Sequence, residues 1–324
     1  MTAIVTLLID SYRLLKARVL FWITLGISGL VGLVYLSIGF NDSGMTLFFG
    51  LIPLEHSELR RGSELAELFY IGIFTKFIVP LWITWIAIIL GLISTASIFP
   101  DFMTEGSIEL SLSKPVHRLK VFLTKYVGSL LFMFIQVGLF TVLVFLALRW
   151  RVGTWNPSVL WMVPLSVLVF SYLYAVVVLV NVMTRSTLAG ILFALLIWFM
   201  SFVMNFVEGN LYTYAFTDAG KDDPEMQEML KPWYRGSRLA YTVIPKTKQT
   251  TEFGDRMIKV KGKQGFSTED FTGIIFGGMI QEGGLEGVDQ VMRRNSGFYV
   301  IGSSLLFEGA LVAIAAGIFC RRDF

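Results

Sequence analysis

The sequence predicts an all-α polytopic membrane protein with six transmembrane helices, and three observations carry that prediction. Of 324 residues, 55% are hydrophobic and only 16% charged, whereas a soluble globular chain carries roughly 25% charge. The apolar runs approach or pass the roughly 18–20 residues that a helix needs to cross about 30 Å of hydrocarbon. The 28 Phe, 13 Met and 8 Trp suit helices packed in lipid. Trp22, Trp82, Trp85, Trp150, Trp155, Trp161 and Trp198 fall within or beside the apolar runs, where aromatic belts form.

Charge and cysteine content narrow the classes further. A formal net charge of +3 gives no reason to expect nucleic acid, since cytoplasmic membrane loops are basic for their own reasons. A lone Cys320 rules out an internal disulfide and any thiolate metal cluster. His56 and His117 are the only histidines, and no His, Cys or carboxylate group has metal-ligand spacing.

Met1 to Arg18 places Ile4, Leu7, Leu8, Leu14 and Leu15 at near-helical spacing with Asp10, Arg13, Lys16 and Arg18 between them. That pattern predicts an N-terminal amphipathic helix in the membrane interface rather than a cleavable signal. Val19 to Phe40 is the first span. Asn41 to Glu67 is a polar connector with four glutamates, and Phe69 to Ser97 is the second span. There Lys76 either snorkels or lines a path, and Pro80 bends the helix by denying a backbone donor. Val121 to Leu148, with Gln136 at its middle, Ser158 to Val180 and Thr187 to Phe206 are the third to fifth spans. Short turns make them antiparallel neighbours. Residues 19–206 thus hold five spans. Residues 207–296 form a large polar, glycine-rich region, and 297–324 hold the sixth span and a basic tail.

Basic residues in short flanks set the expected orientation. With both termini inside, the inner side collects Arg13, Lys16, Arg18, Lys114, Arg118, Lys120, Lys125, Arg185, Arg321 and Arg322, whereas the short outer connectors hold Arg60, Arg61, Arg149 and Arg151. The polar excursion between spans 2 and 3, about residues 98–116, is then cytoplasmic, and 207–296 is extracytoplasmic.

The excursion repays a closer look. Asp101, Glu105 and Glu109 recur every fourth residue, which puts three carboxylates on one face of a short helix. Gly106 lets a partner approach, and Pro115 ends the helix near Ser113. The stretch Glu105-Gly106-Ser107-Ile108-Glu109-Leu110-Ser111-Leu112-Ser113-Lys114-Pro115-Val116 resembles a loop of the permease subunits of ABC-2-type ABC transporters. Members of that family commonly show an acidic residue, Gly, a hydroxyl residue, an apolar-acidic-apolar triplet and Ser-Arg/Lys-Pro between spans 2 and 3. Tyr241 to Pro245 is a weaker match to an aromatic-apolar-Pro stretch before the last span.

The resemblance implies that this loop is a coupling helix that docks in a groove of a cytoplasmic ATPase, with Asp101, Glu105, Gly106, Glu109, Lys114 and Pro115 at the contact. It implies two ATPase subunits, a second permease copy or homologue, and a place in the bacterial cytoplasmic (inner) membrane. No cofactor binds the permease directly; ATP and Mg belong to the partner ATPase. The chain itself has no G-x-x-x-x-G-K-[ST] loop, so it is not expected to be an enzyme. The long region 207–296 departs from the short re-entrant helices usual in polysaccharide and drug exporters of the family and adds an extracytoplasmic envelope protein to the expected partners, besides membrane lipids. A membrane scaffold without ATPase coupling is the alternative function.

Within the spans, Glu308 has two readings, because an ionised carboxylate at mid-membrane costs about 3 kcal/mol unless paired or hydrated. It lines a substrate path or links to Lys76 or Gln136, or it bonds Ser303, Ser304 or a neighbouring helix. Gln136 is expected to bond across helices, a contact worth about 0.6 kcal/mol.

Overall fold

The computed structural model describes residues 16, 19–55, 59–104, 117–216, 223–260, 263–264 and 295–322. The expected amphipathic segment, apart from Lys16, and the loop residues Glu105, Gly106, Glu109, Lys114 and Pro115 lie outside the described residues. Six helices are long and apolar enough to cross a membrane: Val19–Ser37, Glu64–Phe102, Arg118–Arg151, Pro157–Thr184, Thr187–Phe216 and Gly297–Arg321. They are spans 1 to 6. Between the last two stand α1 (Pro224–Val243) and α2 (Thr247–Met257), followed by a small β-ladder.

Span 4 is the axis. In its most apolar window 72% of residues are buried, against 22% in spans 5 and 6, and spans 3, 5 and 6 all pack along it. Its sequence shows why it takes the centre. Ser166, Ser171, Tyr172, Tyr174 and Asn181 are all buried on a helix that is otherwise mostly Val and Leu. Such polar groups are stable in a membrane only where neighbouring helices supply partners.

Alternate spans run in opposite directions, so the bundle has two ends. One is basic, with Arg118, Arg185, Arg321 and Arg322 beside the start of span 3 and the ends of spans 4 and 6. Span 3 has 34 residues, roughly 50 Å at 1.5 Å per residue, so it overruns the hydrocarbon and carries Arg149 and Arg151 out at the opposite end. There Arg151 Nε donates to Leu36 O at 2.7 Å, capping the last carbonyls of span 1.

The connector 41–67 is not only a polar turn. Gly39–Asn41, Gly44–Leu47 and Ile52–Glu55 (β1 to β3) form a three-stranded antiparallel sheet, with Phe40 opposite Met45 and Met45 opposite Leu54. Apolar residues at alternate positions were hidden there by the turn residues around Gly44. Ser63 then caps span 2 by accepting from Ala66 N at 3.1 Å.

One other expectation changes. Asn181 was placed in a turn, yet it is fully buried inside span 4 and its Nδ2 donates to Ala96 O of span 2 at 2.6 Å. The helix ends only at Arg185, which takes a left-handed φ of 57° as the cap. The helical turn that carries Asp101 runs only from Ile98 to Phe102. The N–H of Met103 closes on Phe99 O and Thr104 Oγ1 on Asp101 O, and Glu105 and Glu109 of the expected helix lie outside the described residues.

Candidate functional site: an aromatic cavity between spans 2 and 5

The middle of span 2 is widened. Phe74–Ala87 forms a π-helical stretch of 14 residues with Pro80 inside it, where a simple bend was expected. Proline lacks the N–H that an α-helix needs and its ring crowds the preceding turn, and the widened winding accommodates both. Thr75 Oγ1 donates to Ile71 O at 3.0 Å and Thr84 Oγ1 to Val79 O, five residues back, at 3.0 Å. Such windings are rare and concentrate at functional sites.

The widened stretch forms one wall of a cavity of about 220 Å³, through Thr75, Val79, Pro80, Thr84 and Trp85. Span 5 supplies Trp198 and Phe202, and α2 closes the top with Thr247, Lys248, Thr251 and Glu252. Trp85 and Trp198 stack with ring centroids 4.6 Å apart, and Phe202 meets Trp85 edge-on at 6.0 Å. Trp198 is 3% exposed, whereas Trp85 and Phe202 keep 39% and 42%, so the cavity opens sideways through an apolar doorway. At the polar end Lys248 Nζ lies 3.5 Å from Glu252 Oε1. Burial raises the Glu252 pKa, and the charges of Lys248, Arg256 and Lys76 oppose that shift. Lys76 of span 2 therefore acts on Glu252 through its charge, which sequence spacing could not show because α2 lies more than 170 residues further along.

Helix α2 is held in place from every side. Ser201 Oγ in mid-span 5 donates to Pro245 O at 2.5 Å, Asn295 Nδ2 donates to Gln249 Oε1 at 3.2 Å, and Gly297 at the start of span 6 sits against the Phe253 ring. Gly254 lets α2 approach span 4: an added Cβ would collide with Met162 Sδ and lie 3.1 Å from Leu165 Cδ1. Gly254→Leu is expected to cost about 1–3 kcal/mol and to unseat α2, read as a lower unfolding temperature and faster proteolysis between residues 247 and 257.

Just before α2, Lys246 is 1% exposed. Its N–H donates to Ser304 Oγ at 3.0 Å, its Nζ donates to Thr242 O at 3.3 Å, and the ammonium lies 5.0 Å from the rings of both Tyr241 and Tyr299. Burial lowers its pKa to about 8, against the pull of Glu208. A lysine whose folded pKa is below its unfolded value binds fewer protons when folded, so stability rises with pH between about 8 and 10. Thermal unfolding in detergent across that window is expected to show the rise in the native chain and to lose it in Lys246→Met.

The remaining candidates are spread out. Glu308 in span 6 accepts from Tyr126 Oη of span 3 at 2.7 Å and from Ser171 Oγ of span 4 at 2.8 Å. Of the two readings of Glu308, these bonds are those of the second, a link to neighbouring helices, and not a link to Lys76 or Gln136. Gln136 is 1% exposed and neither atom of its amide meets a hydrogen-bond partner among the described residues, so the expected bond across helices is absent there. At the basic end, Arg118 Nη1 donates to Arg322 O at 2.7 Å and Cys320 O at 3.4 Å, Arg322 donates to Val182 O, and Lys125 Nζ lies 5.4 Å over the Phe102 ring. The ends of spans 2, 4 and 6 and the start of span 3 are thereby tied together.

No curated protein matches the chain. A family model described as ABC-2 family transporter protein matches residues 70–232, which is half of the chain and runs from span 2 into α1. With six apolar helices around a central fourth, this chain is a multi-pass membrane protein and belongs to the ABC-2 family of transporter proteins.

Proposed function

We propose that this chain is the permease subunit of an ATP-driven transporter, with both termini in the cytoplasm of a bacterium and the membrane unit completed by a second copy or a homologue. Two cytoplasmic ATPases would bind the 105–116 loop through Glu105, Gly106, Glu109, Lys114 and Pro115, with Asp101 at its root, and would supply the ATP and Mg chemistry that the chain lacks. The observation that carries this reading is the tie at the basic end. The loop joins Thr104 to His117 in sequence, and the chain on either side of it is fastened to spans 4 and 6 by Asn181, Arg118 and Arg322. A push on the loop would move four spans together, because packed helices shift as units rather than deform.

The orientation is tested by placing Cys at position 105 in a chain with Cys320→Ser. A membrane-impermeant thiol reagent is expected to leave the site unlabelled in intact cells and to label it in inverted vesicles. Labelling from outside would overturn the reading. Gentle purification from native membranes is expected to bring down a nucleotide-binding protein; its absence leaves no source of ATP and sinks the coupling.

A further inference from the structure

We propose that Glu308, in the middle of span 6, is a site where a proton binds and leaves, and that its charge state sets how firmly span 6 is held to spans 3 and 4. This goes beyond the permease reading and does not depend on it, since neither the site nor its test involves an ATPase.

The hydrogen bonds around Glu308 accommodate either charge state. As a carboxylate it accepts from Tyr126 Oη on Oε1 at 2.7 Å and from Ser171 Oγ on Oε2 at 2.8 Å. Each donor has a second acceptor at hand. Tyr126 Oη lies 3.1 Å from Ser171 O, and Ser171 Oγ lies 2.8 Å from Leu168 O. When a proton arrives, Ser171 turns its O–H to Leu168 O, and the lone pair so exposed accepts the new O–H of Glu308, while Tyr126 goes on donating to the other oxygen. Neither state strands a polar group inside the membrane, where that is costly. A pair that served structure alone would need only the first set of acceptors.

The distances and the charges select a proton. Oxygens 2.7 and 2.8 Å apart are in direct O–H···O contact, which leaves no room for a metal ion between them. The ionisable groups on the elements packed around this site are Tyr126 and Lys125 of span 3, Tyr172 and Tyr174 of span 4 and, toward α2, Lys246. Among the described residues no lysine or arginine lies within ion-pair distance of Glu308. Lys125 Nζ lies over the Phe102 ring, and Lys246 Nζ donates to Thr242 O. The negative charge therefore rests on two hydroxyls alone in a membrane span, and a proton is the ion that relieves it.

Polar side chains lead from the site toward α2. Tyr172 is within the field of the Glu308 charge and neighbours Thr250 and Ser304. Ser304 stands one turn from Glu308 on the same face of span 6 and accepts from the Lys246 N–H at 3.0 Å. The step moves one proton: hydronium gives up an O–H bond and becomes water, Glu308 Oε2 gains an O–H bond and loses its charge, and the reverse restores both.

Hydrogen bonds to an ionised acceptor are roughly twice as strong as neutral ones. Protonation thus weakens both bonds by which this side chain joins span 6 to spans 3 and 4, while the ties of Arg118 and Arg322 at the basic end are untouched. The middle of span 6 loosens and its end stays fastened.

The test uses the full chain purified in dodecyl maltoside and a series from about pH 5 to about pH 9. Infrared difference spectra between native and Glu308→Gln chains isolate this carboxyl from the other acids. The protonated-carboxyl band is expected at the acid end and the carboxylate band at the alkaline end. A single charge state across the series would overturn the proton site, and so would displacement of the protonated band by sodium ion at fixed pH and ionic strength, because the ligand would then be a metal cation. A second readout needs no variant: dicyclohexylcarbodiimide, which adds to protonated carboxyls in apolar surroundings, is expected to modify Glu308 at acid pH and to lose that reaction as pH rises. No modification at acid pH, or modification that does not fall, would likewise overturn the site. For the loosening, amide hydrogen exchange over residues 300–312 is expected to be about tenfold slower in the native chain than in Glu308→Gln at the alkaline end and equal at the acid end; the ratio cancels the intrinsic effect of pH on exchange. A ratio that stays constant through the titration would overturn the loosening.

Discussion

Reversing two charges in the loop, Glu105→Lys together with Glu109→Lys, is expected to abolish recovery of the proposed ATPase partner while all six spans remain in the membrane. The physical reason is the concentration of carboxylates in a segment whose flanks are basic: Glu105 and Glu109 precede Lys114, Arg118 and Lys120. A groove that accepts these carboxylates, as proposed, would offer positive charge, and like charges brought together in a docked contact cost several kcal/mol. A loss of about 4 kcal/mol is roughly a thousandfold in Kd, enough to empty the site at ordinary protein concentrations. Among the described residues the ties at the basic end run between other groups: Arg118 meets the carbonyls of Cys320 and Arg322, and Asn181 meets Ala96. Folding should therefore survive. The measurement is the yield of nucleotide-binding protein copurified with native and substituted chains, normalised to permease in the membrane fraction. Equal yields would remove the loop from the coupling contact.

Removing both donors to Glu308, by Tyr126→Phe with Ser171→Ala, is expected to lower stability by about 2–3 kcal/mol, and adding Glu308→Gln should restore most of it. A carboxylate within the membrane is tolerated where it is paired or hydrated, and bare it costs about 3 kcal/mol. Here the pairing comes from two hydroxyls on two different helices, at 2.7 and 2.8 Å. The donors themselves have alternatives. Tyr126 Oη lies 3.1 Å from Ser171 O, and Ser171 Oγ lies 2.8 Å from Leu168 O. The asymmetry follows: losing the acceptor leaves the hydroxyls with partners, while losing the hydroxyls strands the acceptor. Unfolding in detergent of native, double and triple variants measures it. If the double and triple variants unfold together, the hydroxyls contribute nothing to holding Glu308.

The fall-back partners also bear on movement. Glu308 is a single side chain joining span 6 to spans 3 and 4 from the middle of the span, and Arg118 and Arg322 join the same helices at the basic end. Span 6 therefore follows spans 3 and 4, while spans 1 and 5 lie further from this tie.

Much of this molecule was legible in the chain. Six apolar runs, their antiparallel order and the polar stretch between spans 2 and 3 follow from composition and length, because a helix in hydrocarbon must satisfy its own backbone and so needs a long unbroken apolar run. The loop motif was equally local, and the family match from residue 70 to 232 agrees with it. Glu308 could be singled out because a carboxylate in an apolar run is conspicuous wherever the run ends up.

The tertiary structure decided what depends on helix rotation and on residues far apart in sequence. Hydropathy does not say which face of a span looks inward, since lipid and a packed neighbour accept the same side chains. Only the packing could place Asn181 against Ala96, give Glu308 to Tyr126 and Ser171 in place of Lys76 or Gln136, and leave the Gln136 amide without a partner among the described residues. The cavity is the clearest case. Trp85, Trp198 and Glu252 come from spans 2 and 5 and from a helix in a region that looked merely polar and glycine-rich, and only the folded bundle brings them within reach of one another.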